Sequence, residues 1–340
     1  LVLVAPIVMA VSIYAITGRE RALLLIALTP MMALGNFMNQ RSQAGVKRQH
    51  EAELFERQFE KLEETLFRSK PEEEFVRNCE VPPVAEVYEH AVRLGPLMWT
   101  RRPEHWNYLA VRLGTTRALS RNTIAERDTQ DGLPSYIERL DRLRDRYRFV
   151  DDVPVLESFR TVGSVGVAGP VAPASDAMRG LAVQLFGLHA PTDLVAVAMT
   201  GPAWTHEMEW LKWLPHTTSE VSPFRVLPLA DSPPTAASLL SSLEEYVLRA
   251  GRRVEARGPL SETWHPMLFG TDVHRAGEEA PRNVGLTVLL FVTHDAPVDR
   301  ARLMQVLEQG ADVGVHAVFY APTVESLPAA CRSFIDVTDG

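Results

Sequence analysis

The stretch best suited to chemistry is SVGVAGPVAPASDAMRGLAVQLFGL, Ser164 to Leu188. A short β-branched run enters a Gly-rich turn and a helical pattern follows, the layout of a phosphate-binding P-loop. Such a loop needs glycines whose neighbouring N–H groups wrap phosphates, a lysine for the β/γ charge and a Ser/Thr hydroxyl for magnesium. Gly166 and Gly169 keep part of the turn, but no Gly-Lys pair follows. Pro170 and Pro173 remove two backbone donors from the cradle. Ser175 reads as the N-cap of the next helix. Asp176 behind it suits a bare helix N-terminus and repels a phosphate placed there. Arg179, one turn further in, is the only cation near the turn and a weak substitute for the lysine.

The second half of such a site is an apolar strand ending in one or two carboxylates for magnesium and the attacking water. GLTVLLFVTHDAPVD supplies the strand, and Asp295 stands at its end with Ala296 where a glutamate is needed. Asp295 reads as a turn residue before Pro297. The expectation is a strand–turn–helix scaffold that has lost its catalytic groups. Gly166, Gly169 and Arg179 mark the degenerate P-loop and Asp295 the degenerate second motif, with no catalytic, nucleotide-binding or metal-ligating residue expected.

The elements that must position these residues alternate in type. SVGVAG, TDLVAVAMT, FRVLPLA, GLTVLLFVTH and GVHAVFYA read as strands. ASDAMRGLAVQLFGL, AWTHEMEWLKWL, TAASLLSSLEEYVLRAG and VDRARLMQVLEQG read as helices between them. Continuous apolar strands alternating with helices predict an α/β layer with a mostly parallel sheet, ligands sitting at the strand C-termini.

The N-terminal part is different. Leu1–Thr17 and Ala22–Met38 carry no charge and are separated by Gly18-Arg19-Glu20-Arg21. Each run reaches roughly 26 Å as a helix, slightly short of a ~30 Å hydrocarbon core, and the pair reads as a transmembrane hairpin rather than a buried hairpin or a signal peptide. Arg41, Lys47 and Arg48 favour a cytoplasmic side after the second run. A highly charged helix follows, with Phe55, Phe59, Leu62 and Leu66 as one apolar stripe, and Pro71 suits its break. PPVAEVYEHAVRLG and PSYIERLDRLRDRYR read as further helices and NYLAVRLG as a strand. The divisions expected are a membrane hairpin over 1–38, a stalk with a small mixed α/β region over 39–155, and the degenerate domain over 156–340.

Composition sets further bounds. The 340 residues carry a net charge of −8, which argues against broad binding to nucleic acid. Cys79 and Cys331 show no metal-ligand spacing and fit a reducing compartment. The histidines are scattered without a ligand pair. Trp204, Trp210 and Trp213 form the densest aromatic cluster; such a cluster serves a core or inter-domain contact, or a docking face. SETWHPMLFGTDVHRAGEEAPRN and RNTIAERDTQDGLP read as long loops. The chain starts at Leu1 and stops at Gly340 just past a strand-like run, which reads as part of something larger.

In this order of parts the chain resembles the N-terminal section of the EccC family, the FtsK/SpoIIIE-type motors of type VII (ESX) secretion systems. The residues that carry the resemblance are GPLMWTRRPEHWNYLAVRLG, RFVDDVPVLESF, the VGVAGP…RGLAVQLFGLHAPTDLVAVA stretch, EWLKWLPHT and GVHAVFYAPTVESLPAACRSFI. In the last, Tyr320-Ala321-Pro322-Thr323 stands where FtsK-like motors carry a polar sensor loop. The resemblance implies a membrane anchor and stalk followed by a degenerate RecA-like, P-loop NTPase-like domain. It places the ATP and magnesium of the family, and contact with secreted helical-hairpin substrates, in domains beyond this segment. It also implies an inner-membrane, multi-pass location, a mostly cytoplasmic chain, and other type VII inner-membrane subunits and the lipid bilayer as partners, with no nucleic acid. The competing readings are an active DNA-translocating membrane ATPase built on Gly169, Arg179 and Asp295, and a membrane-tethered scaffold unrelated to motors.

Overall fold

The computed structural model describes residues 24–125, 134–257 and 285–338. The chain divides into two compact units, Leu1–Ser69 and Lys70–Gly340. The first uncharged run, residues 1–17, lies outside the described residues. Among the described residues no helix is long and apolar enough to cross a membrane.

Helix α1 spans Leu24–Glu80. It runs through Pro71, where the sequence suggested a break. A proline inside a helix forfeits one i→i−4 bond; here glutamates, lysines and arginines on both sides favour helix, and residues 70–80 are tied down by side-chain bonds described below. In the first unit the rings of Phe55 and Phe59 stack with centroids 5.9 Å apart, and Leu66, four further positions down the same stripe after Leu62, is buried.

Among the described residues, the second unit is built on a six-stranded sheet in the order β5-β4-β6-β7-β3-β8, every pair parallel. The strands are β3 (Ser164–Ala168), β4 (Leu194–Met199), β5 (Leu229–Ala230), β6 (Thr287–Thr293), β7 (Val315–Ala321) and β8 (Cys331–Asp336). Apolar residues on successive positions explain this choice, because a parallel sheet must be buried on both faces. One face carries Leu194, Ala196, Ala198, Leu289, Phe291, Val318 and Tyr320 and packs against helix α4 (Val171–Leu188) and Trp204. The other carries Val195, Val197, Met199, Leu290, Val292 and Phe319 and packs against helix α5 (Pro233–Arg257) and helix α6 (Arg300–Gly310). β5 and β8 form the two edges, and along β8 Arg332, Phe334 and Asp336 are exposed while the residues between them are half-buried.

Ahead of the sheet come helix α2 (Val84–Arg93) and an antiparallel ribbon of β1 (Ala110–Leu119) and β2 (Phe149–Ser158), joined through helix α3 (Pro134–Arg146). The WTRRPEHWNY segment fastens the ribbon to the sheet. Trp99 N–H and Arg101 N–H donate to Gly187 O and Leu188 O, both at 2.9 Å, and so satisfy carbonyls at the C-terminus of α4. The Tyr108 hydroxyl lies 3.0 Å from Asp193 O and 3.1 Å from Thr287 Oγ1. The predicted helix AWTHEMEWLKWL is instead a series of tight turns with a 3-10 segment at Glu209–Trp213. Its helical spacing buries Trp204, Met208 and Leu211, but bonds such as Trp204 N–H to Gly201 O and Leu211 N–H to Met208 O span three residues. The loop expected at 261–283 lies outside the described residues, as do residues 126–133 of the other.

Three imidazoles are locked into this core. His189 donates from Nδ1 to Leu185 O at 2.7 Å and accepts the Leu109 N–H at Nε2 at 3.0 Å. His216 Nε2 meets His189 O at 2.9 Å, and His316 Nδ1 meets Gly163 O at 3.1 Å. Burial pushes their pKa values down from 6.5, to about 3 for His189 and about 4 for His216 and His316. They fold neutral, so the stability they hold is complete above pH 6.5, their unfolded value, and is lost as pH falls. Acidification from pH 7.5 to 5 is expected to lower the stability of the second unit by up to about 2 kcal/mol per imidazole, read as a falling urea midpoint. His189→Gln, which keeps one donor and one acceptor, is expected to flatten part of that slope.

Candidate functional site

The turn after β3 sits at the C-terminal end of the sheet, where ligands bind in α/β folds. Its backbone is already bonded to the protein. Gly169 N–H donates to Ala321 O at 3.1 Å, the Tyr320 hydroxyl donates to Gly169 O at 3.1 Å, and Val337 N–H donates to Ala168 O at 2.8 Å. Both glycines are required by close packing. A Cβ at Gly166 would stand 2.6 Å from Leu327 Cδ1 and 3.2 Å from Phe334 Cβ. Gly169 adopts φ +139°, and a Cβ there would meet Val337 Cγ2 at 2.7 Å and the Thr338 nitrogen at 3.2 Å. The chain leaving β8 thus covers the turn.

Helix α4 starts at Val171 with Pro170 as its N-cap, so Ser175 is not the cap but lies inside the helix. Pro173 falls in the first turn, where a missing N–H costs nothing, and this lets the helix begin five residues earlier than a Ser175 cap suggested. Ser175 Oγ donates to Glu207 Oε2 at 2.8 Å. Arg179 donates to the same oxygen at 2.6 Å and to Asp176 Oδ1 at 3.2 Å, so its charge is held between two carboxylates.

Asp295 lies beside the end of β4, so close to Gly201 that a Cβ there would fall 2.0 Å from its carboxyl carbon. Gly201 N–H donates to Thr293 Oγ1 at 2.8 Å. Two oxygens at this end of the sheet, Thr200 Oγ1 and Asp295 Oδ1, are buried without a hydrogen-bond partner. The negative charge of Asp295, after burial, raises the pKa of Tyr320, whose hydroxyl holds the Gly169 carbonyl. Gly169 and Asp295 therefore meet at one end of the sheet through Tyr320, whereas Arg179 is engaged elsewhere. Among the described residues no group of three His, Cys, Asp or Glu could hold a metal.

The three tryptophans part company. Trp204 is 1% exposed and lies on Tyr320, ring centroids 4.1 Å apart. Trp210 stands edge-on to Phe291 at 6.2 Å. Trp213 is 80% exposed. Trp210 and Trp213 line a groove of about 680 Å³ together with Tyr88 and Ala91 of α2, Trp99, Phe186 and Gly187 of α4, and Leu214. Tyr88, 59% exposed, lines it as Trp213 does. Arg179 and Glu209 are charged residues of its lining, with the His206 imidazole beside them. Sequence reasoning named the tryptophans but missed the second wall. The signal was Gly187: a Cβ there would stand 2.7 Å from Val87 Cγ1 and 4.0 Å from Ala91 Cβ, so α2 lies directly on α4.

Comparison with known proteins bears on this geometry. No family model matches the chain. It is 26% identical over 130 residues to the ESX-4 secretion system protein EccC4 of Mycobacterium tuberculosis, covering 36% of this chain and 10% of that protein. It is 21% identical over 268 residues to the type VII secretion system protein EssC of Staphylococcus aureus, covering 77% of this chain and 17% of that one. The chain therefore spans less than a fifth of the length of these relatives. Among solved structures, EssC ATPases 2 and 3 from Geobacillus thermodenitrificans align at 13% identity and a TM-score of 0.41, over 69% of this chain and 37% of that one. The curated relatives support an EccC/EssC-like protein, similar over part of its length to components of type VII secretion systems.

Proposed function

We propose that this chain is the membrane-anchoring and force-transmitting part of a type VII secretion motor and binds no nucleotide itself. The observation that carries the second half is the closed turn after β3. Its Gly169 N–H is spent on Ala321 O, Val337 packs where a phosphate would approach, and Arg179 is neutralised by Glu207 and Asp176. A nucleoside triphosphate does not fit residues so engaged, and Asp295 has no second carboxylate beside it. ATP, magnesium and secreted substrates belong, in this reading, to motor domains elsewhere in the full protein.

Anchoring rests on the two uncharged runs at 1–17 and 22–38, which together form a hairpin in the inner membrane with the remaining chain on the cytoplasmic side. Assembly with other secretion subunits uses the groove of Trp210, Trp213 and Tyr88, where the exposed rings of Trp213 and Tyr88 suit an apolar helix face of a partner subunit.

Four measurements test this reading. Calorimetric titration of MgATP into the chain, with tryptophan fluorescence as the folding control, is expected to show no binding at millimolar nucleotide. Binding tighter than about 100 μM, ~−5.5 kcal/mol, abolished by Asp295→Ala, overturns it in favour of an active ATPase. Gly169→Ala is expected to cost roughly 1–3 kcal/mol of stability, measured in urea, because the residue serves packing. Trp213→Ala is expected to leave stability within about 0.5 kcal/mol while weakening co-purification with the other membrane subunits by tenfold or more. Full retention of those subunits removes the groove from the assembly, and release of the chain from membranes by high salt removes the anchor.

A further inference from the structure

Residues 70–80, the last eleven of α1, meet the β1–β2 ribbon with the wrong face for an amphipathic helix. Phe75 and Val76 are 70% and 49% exposed, whereas Glu73 is 7% exposed. Lys70, Glu73, Arg77 and Glu80 recur at steps of three, four and three and so lie along one side. That side is bonded throughout. Lys70 Nζ reaches Asp151 at 2.9 Å, Arg77 Nη2 donates to Leu119 O at 2.8 Å, and Glu80 pairs with Arg121 at 2.9 Å.

At the centre, the Glu73 carboxylate accepts four donors. Oε1 takes the Arg121 N–H at 2.8 Å and pairs with Arg77 at 2.7 Å; Oε2 takes Ser120 Oγ at 2.6 Å and Asn122 Nδ2 at 3.0 Å. Ser120, Arg121 and Asn122 are three consecutive residues leaving β1. Charge-assisted bonds of this kind are short and directional. A helix rotates by about 100° and rises about 1.5 Å per residue, so no slip of even one position keeps more than a fraction of them. An apolar contact tolerates sliding.

We infer that Glu73 is a positioning residue, the joint that fixes the helix to the ribbon at one height and one rotation. This rests on the force-transmitting reading above and names the point at which a load on residues 70–80 passes to the ribbon. The joint is polar and can be undone without exposing apolar core.

The test uses the full chain with Cys331→Ser, a spin label on the native exposed Cys79 and a second on Gln309→Cys of α6. Wild type is expected to give one narrow distance distribution. Glu73→Ala is expected to at least double its width, Glu72→Ala to leave it unchanged, and Glu73→Gln, which keeps one acceptor oxygen, to fall between. A narrow distribution in Glu73→Ala, with the urea midpoint of the sheet domain intact, overturns the inference. Should Glu73→Ala fail to fold, Glu73→Gln decides it by the same criterion. Broadening with undiminished export in cells keeps the joint and sinks the force-transmitting reading.

Discussion

β3 is squeezed between β7 and β8, and the close approach of β8 at Gly166 and of its continuation at Gly169 governs the whole sheet end. With no side chain at either position, Leu327 and Phe334 can pack against the strand itself and Val337 can lie across the turn. The Ala168 carbonyl and the Gly169 N–H then find partners on β8's tail and on β7. A buried backbone group left unpaired is costly, so this arrangement is self-consistent. It uses the same glycines that a phosphate cradle uses, for the opposite purpose: they let protein approach instead of ligand.

The rest of the second unit follows from covering both faces of that sheet. α5 and α6 cover one face. On the other, α4 alone does not suffice, and Tyr108, Leu109, Val111 and Phe159 from the ribbon complete the layer. The ribbon is therefore part of the same core, held by the bonds of Trp99 and Arg101 to the end of α4 and by His189, which accepts from Leu109. A neutral imidazole with one donor and one acceptor satisfies this inner junction, and a polar carboxylate joint serves the outer one at Glu73.

Much of this was legible in the sequence. Runs such as LVAVAM and VLLFV are apolar at every position, as a strand buried on both faces requires, and the missing lysine and second carboxylate were visible as residue types. What could not be read was who occupies the vacated turn. Val337 lies 168 residues from Gly169 in sequence, and no local pattern announces that contact. Ser175 carried the right chemistry for a cap, but the prolines ahead of it were compatible with an earlier start. The tryptophan stretch had helical spacing, but apart from Met208 N–H to Trp204 O its bonds close over three residues. At Pro71 a local preference lost to the polar bonds made by Glu73 and Arg77, whose partners come from β1's far end.

Among the described residues β8 pairs with β3 alone, so its other backbone edge closes one side of the sheet without a strand partner, and its exposed positions read Arg332, Phe334, Asp336. An open edge with an outward phenylalanine invites a second strand. The charges choose its direction. Parallel, in-register stacking of identical strands sets Arg332 over Arg332 and Asp336 over Asp336, the repulsive arrangement for a growing fibril. An antiparallel approach centred on Phe334 sets each arginine against an aspartate. At this edge the charges therefore disfavour in-register parallel stacking and complement each other in the antiparallel arrangement.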